Sequence, residues 1–176
     1  DFGGMKYFLD NSKEKIDVVV ALDGGLGGFS YGALGFGGGR ITFRGPGAHT
    51  MRSRSVPNPI VAANRAIERI YKISIPTEPQ ERWTVINVGM INGGKVDNAV
   101  PQECFFTIDL RSGNQAEIEK AQVQIKKICH EVAKEVGAEL EIKLNNEDKA
   151  AQLPGARDSF LVRTAEDILK FLKIEN

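Results

Sequence analysis

Histidine and cysteine are scarce: 176 residues carry two of each, His49 and His130, Cys104 and Cys129. A centre built from imidazoles and thiolates needs three or four ligands, so this chain has no cluster able to assemble one by itself. The cysteines lack CxxC spacing and are too few for a disulfide framework, which leaves two buried reduced thiols as the expectation. An excess charge of either sign is also missing, with Lys plus Arg and Asp plus Glu at 23 each. The basic residues are scattered rather than striped, so neither nucleic acid nor an anionic membrane is an expected partner. No apolar run approaches the ~20 residues that cross a bilayer, and the start shows no charged-then-apolar leader pattern. The sequence therefore predicts a soluble, cytoplasmic protein with a small-molecule or peptide partner.

What is present is enough apolar residue, 41% of the chain, to bury one ordinary core. A short amphipathic stretch, Met5 to Leu9, precedes the β-branched run Ile16 to Leu22, which suits a strand covered on both faces as in a parallel sheet. The glycine-rich stretch Gly24 to Gly39 then has the composition of a flexible connection. It lacks both Gly-Lys-Ser/Thr and a GxGxxG opening a helix, so a phosphate loop is disfavoured.

From Arg40 a self-contained unit begins. Arg40 to Arg44 alternates, with Ile41 and Phe43 on one face. Asn58 and Pro59 signal a helix start, and Ile60, Ala63, Ile67, Ile70 and Tyr71 keep helical spacing as a core-facing stripe. Trp83 to Ile91 and Cys104 to Arg111 read as strands, joined by an elaborated turn. Ile118, Ala121, Ile125, Ile128, Val132 and Val136 mark a longer helix that Gly137 closes. Leu140, Ile142 and Leu144 alternate in a last strand. The order β-α-β-β-α-β predicts an α+β, ferredoxin-like fold, a four-stranded antiparallel sheet with both helices on one face.

A polar stretch from Asn145 to Pro154 leads to a final helix over about Asp158 to Leu172. Neither this helix nor the Ile16 to Leu22 strand has a visible partner inside the α+β unit. The expected division is residues 1–37 and 149–176 as fragments of an α/β domain, with residues 38–148 inserted between them.

Chemistry concentrates in three motifs: Gly45-Pro-Gly-Ala-His49-Thr50, Asn92-Gly-Gly-Lys-Val-Asp-Asn98-Ala-Val-Pro101 and Asp109-Leu-Arg111. A neutral imidazole, a carboxamide and a guanidinium can polarise a carbonyl and grip a carboxylate. Each also has a plain structural reading. His49 suits a loop histidine bonded to nearby backbone, Asn98 a turn residue, Arg111 a surface ion pair, and Asp23, before Gly24-Gly25, a turn after a strand.

Together with Val56-Pro-Asn-Pro-Ile60, these motifs resemble, in order and spacing over about residues 16–172, the dimerisation or lid domain of the zinc metallopeptidase family. That family includes aminoacylase, glutamate carboxypeptidase and peptidase T, and Asp23-Gly-Gly is similar to the peptidase T branch. The resemblance implies a homodimer in which His49 reaches the partner's active site and stabilises charge on the scissile carbonyl oxygen. It implies that Asn98 and Arg111 hold substrate, the latter by its carboxylate, and that Asp23 is one ligand of a pair of zinc ions. The other family ligands have no counterpart here, so this chain is expected to bind no zinc and to be inactive by itself. The implied parent reaction is hydrolysis of an amide bond in a small peptide or acyl-amino acid. The rival reading from the residues is a stand-alone ferredoxin-like ligand-binding or assembly module that hydrolyses nothing.

Overall fold

The computed structural model describes residues 3–21, 28–79, 82–145, 149–151 and 155–174. Its elements run α1 (Gly3–Asn11), β1 (Gly35–Phe36), β2 (Gly39–Arg44), β3 (Ala48–His49), α2 (Pro59–Ile70), β4 (Thr84–Gly93), β5 (Ala99–Val100), β6 (Glu103–Ser112), α3 (Gln115–Val136), β7 (Glu139–Leu144) and α4 (Phe160–Phe171). The main sheet is antiparallel, with β6 between β4 and β2, β7 outside β2, and β1 extending the line of β2 along β6. This is the ferredoxin-like α+β arrangement that the β-α-β-β-α-β order predicts.

Alternation sorts the sheet into two faces. Along β6, Cys104, Phe106, Ile108 and Leu110 are buried, and Ile41 and Phe43 of β2 join them beneath α2 and α3. Truncating a fully buried aromatic such as Phe106 to alanine costs about 3–5 kcal/mol in cores of this kind. The one end predicted for each helix is present. Asn58 Oδ1 accepts the Ile60 N–H at 2.9 Å, with Pro59 opening the helix. Gly137 closes α3 in the left-handed conformation, φ 77°, a C-cap that costs a glycine little. Arg69 of α2 forks both its terminal nitrogens onto Glu135 of α3 at 2.7 Å, tying the helices on their outer side.

The core-facing stripe of α2 keeps Ala63, Ile67 and Ile70 of the predicted one but is completed by Pro59, Ala62 and Ala66, whereas Ile60 and Tyr71 are exposed. Small side chains let the helix axis lie close to the sheet, and Tyr71 uses its hydroxyl to accept the Val88 N–H of β4 at 2.9 Å.

Two further expectations are corrected. Residues 16–21 form no strand, and Ile16, Val18, Val19 and Val20 are exposed; a β-branched run needs neighbouring strands to satisfy its backbone, and none lies alongside it among the described residues. Nor is the glycine run up to Gly39 a loose tether throughout. Cβ atoms added at Gly35, Gly37 and Gly38 would lie 2.6, 2.3 and 2.1 Å from Ile118 Cδ1, Ile118 Cγ2 and Ile108 O. Glycine is used there for close approach rather than for flexibility.

The core cluster draws on residues 41–142 among those described. α1 buries none of its residues, and α4 buries Val162 alone. No described helix is long and apolar enough to cross a membrane.

Candidate functional site

At one end of β6 the chain folds back into a small ribbon that sequence periodicity did not indicate. β3 pairs antiparallel with β5, Ala48 opposite Val100 and His49 opposite Ala99, and the Thr50 N–H donates to Asn98 O at 3.0 Å. The predicted His49 and Asn98 are thereby neighbours on one exposed rim. Gly47, at φ 70°, supplies the left-handed residue that turns the chain into the ribbon.

His49 is held by its own backbone neighbourhood. Its Nδ1 accepts the Met51 N–H at 3.3 Å and so caps the short 3-10 turn Thr50–Arg52. An accepting Nδ1 carries no proton, so the neutral ring carries its proton on Nε2. That nitrogen has no bonded partner among the described residues. The backbone contact of the plain structural reading is therefore present, and it leaves the second ring nitrogen without a bonded partner among the described residues. Beside the ribbon, segments Pro46–Ala48, Asn92–Val96 and Ala99–Glu103, together with Phe105, line an open cleft of about 690 Å³.

Arg111 is not part of this rim. It lies near the other end of β6, opposite Phe36 and Val85, while the ribbon adjoins Glu103. Eight residues of antiparallel strand at ~3.4 Å each separate the two ends by about 27 Å. Arg111 Nε donates to Asp109 Oδ1 at 2.8 Å, and its guanidinium carbon sits 5.8 Å from the Phe36 ring centre. Asp109 and Arg111 share a face because they are two apart, with Leu110 driven into the core between them. The pairing occupies Nε and leaves both terminal nitrogens for an incoming carboxylate. Asp109 is a partner that the i, i+2 spacing could have indicated. Asp23 lies outside the described residues.

The solvent face of the sheet between these ends is charged and internally matched. Arg44 donates to Glu103 at 2.9 Å and to Glu141 at 2.8 Å. Lys143, followed by Arg44, pulls the Glu141 carboxyl down to about 2. The Arg40 guanidinium lies 3.5 Å over the Phe105 ring, a cation–π contact. Cys104 and Cys129 are both free and buried, as expected of two buried reduced thiols, and burial pushes the Cys129 thiol up to about 12.

Among the described residues, no group of three or more His, Cys, Asp or Glu side chains could hold a metal ion. The donor set on this chain's described surface does not fit a zinc pair.

Comparison with known proteins gives this geometry a context. Residues 31–137 match the family model of the peptidase dimerisation domain. The chain is 26% identical over 134 residues to N-acetyldiaminopimelate deacetylase of Leuconostoc citreum, covering 76% of this chain and 33% of that protein. Its fold is similar to aminopeptidase PepT of Bacillus cereus, with TM-score 0.69 and 21% identity over 88% of this chain and 40% of the other. A tripeptidase of Staphylococcus aureus gives TM-score 0.68 and 19% identity, over 82% and 37% of the two chains. The chain thus spans between a third and two fifths of the length of these relatives.

Proposed function

The chain belongs to the peptidase dimerisation domain family, and from that premise we propose that it is the lid and dimerisation portion of a di-zinc hydrolase acting on amide bonds of small peptides or acyl-amino acids. In this reading residues 38–148 are the lid, extended by Gly35–Gly37, which pair with β6 and pack on Ile118, while the rest of residues 1–37 and residues 149–176 belong to an α/β catalytic domain of a cytoplasmic enzyme of the peptidase T-like branch. Two features support the division: the core cluster excludes both flanks among the described residues, and the relatives are a little over twice as long as this chain. When bound, the zinc pair supplies activated hydroxide. Its ligands belong to the catalytic domain, with Asp23 as one of them, and this chain by itself is inactive.

The observation that carries the proposal is the hydrogen bond that holds His49. Its Nδ1 accepts the Met51 N–H, which assigns the proton of the neutral ring to Nε2, a donor of the kind that stabilises an oxyanion. Asn98 stands beside it to orient substrate, and Arg111 offers a planar pair of donors for the substrate carboxylate. A small peptide does not bridge about 27 Å of strand. A site using all three groups therefore takes His49 and Asn98 from one subunit and Arg111 from its two-fold mate.

The outer edge of β4, like that of β7, has no neighbouring strand among the described residues, and it is the edge that flanks exposed apolar side chains. It carries the exposed Met90 and Ile91, with Ile60 and Val61 exposed on α2 nearby. An unpaired edge beside apolar helix positions suits an isologous contact. In the complete enzyme, His49→Ala is expected to lower turnover by about 100-fold or more while sedimentation still reports a dimer. Near-normal turnover would remove His49 from the chemistry.

A further inference from the structure

The chain segments that lead into and out of the sheet run side by side. Ala33 and Ala151 exchange both backbone hydrogen bonds, at 2.8 and 3.0 Å, and the Asn145 N–H donates to Gly38 O at 2.8 Å. Gln115 Oε1 accepts the Ala150 N–H at 3.2 Å. Between the segments lies Gln122 of α3, 5% exposed and set among the apolar residues Ile118, Ala121 and Ile125 of the same helix. Its Nε2 donates to Gly37 O and to Asn145 O, both at 2.8 Å. A buried carboxamide in an apolar stripe is costly unless it is bonded, and this one spends both its N–H groups on carbonyls from two different connectors.

The glycines make this contact possible. Side chains at Gly35 and Gly37 would collide with Ile118, and one at Gly37 would also lie 2.9 Å from Gln122 Nε2. Exposure changes abruptly at this point: residues 31–34 are exposed, whereas Gly35, Gly37 and Gly38 are buried.

We infer that the two connectors form one stiff neck with Gln122 as its lock, a positioning residue that fixes how the chain enters and leaves the α+β unit. Rotation between this unit and whatever its connectors lead to is then displaced outward, to residues before Ala33 and beyond Ala151. The identity of the region beyond the neck rests on the proposed function; the lock is a property of this chain and is tested without catalysis.

The test is amide hydrogen exchange on the 176-residue chain, comparing wild type with Gln122→Met, which keeps side-chain length and removes both donors. The amides of Ala33, Asn145 and Ala151 are expected to exchange roughly 10- to 30-fold faster in the variant, while those of the β4–β6 ladder keep their rates. Uniform acceleration, or no change at those three amides, would overturn the lock. Should the variant fail to fold, the wild-type protein decides through its side-chain amide signals. The Gln122 NH2 protons are expected to exchange at least about tenfold more slowly than those of the less buried Gln124; equal rates would overturn the inference.

Discussion

Replacing Gly38 by alanine separates two physical readings of the glycine-rich stretch by the sign of the effect. In a flexible connection, Gly→Ala restricts the unfolded chain and stabilises by about 0.4–1 kcal/mol. Here the new Cβ would sit 2.1 Å from Ile108 O and 3.0 Å from Ile108 C, both backbone atoms of the central strand, which cannot swing aside as a side chain could. Overpacking of this kind costs about 1–3 kcal/mol. A mid-range loss of about 2 kcal/mol lowers the melting temperature by about 4–8 °C in a domain of this size. Gly89→Ala is the matched control, because its Cβ would meet Asn87 Nδ2 and Thr107 Oγ1 at an ordinary 3.8 Å. Urea unfolding followed by circular dichroism would give both values. A Gly38→Ala protein as stable as wild type, or more stable, would refute the packing argument and restore the flexible connection.

Two further outcomes follow from the β4 edge and the charged sheet face. Ile91→Arg places a cation on the β4 edge, where Ile91 is 55% exposed, and is expected to weaken self-association of this chain at least about tenfold, or ~1.4 kcal/mol; an unchanged sedimentation profile would move the interface elsewhere. Glu141 is held at about 2 by Lys143 and Arg44, below its ordinary 4.5. Its contribution is therefore complete above about pH 4.5 and lost as pH falls toward 2. Glu141→Gln should flatten the decline of the unfolding midpoint in that window, and an identical acid slope would show that the ion cluster does not contribute.

The parts of the fold legible in the sequence are those fixed by local chemistry. Asn58-Pro59 and Gly137 mark helix ends because caps are made by the residues themselves, and the alternation of Phe106, Ile108 and Leu110 reports one buried face. What was not legible depends on distant neighbours. The run Ile16 to Leu22 has the composition of a buried strand, yet Ile16, Val18, Val19 and Val20 lie exposed, since composition does not supply a pairing strand. Gly35 to Gly39 looks like a tether because sequence records the missing side chains but not the Ile118 and Ile108 atoms that fill their place. The α2 stripe was right at Ala63, Ile67 and Ile70 and wrong at Ile60 and Tyr71, because Ala62 and Ala66, weak in any hydrophobic pattern, are what close helix–sheet packing selects. For the site, His49, Asn98 and Arg111 were nameable by type, and the closeness of the first two follows from the short β3–β5 ribbon. Their separation from Arg111 follows from the length of β6, which becomes a distance only once its register with β2 and β4 is known.

The central claim is that His49 and Arg111 serve one active site from opposite subunits, and mixing two inactive variants of the complete enzyme tests it most directly. His49→Ala and Arg111→Ala dimers, dissociated together and reassembled in equal amounts, should give hybrid dimers in which one of the two sites has both groups intact. With random pairing about half the dimers are hybrids, so about a quarter of wild-type activity should return. If the mixture stays as inactive as its two parents while hybrid dimers demonstrably form, His49 and Arg111 do not meet across the two-fold axis and the account is contradicted.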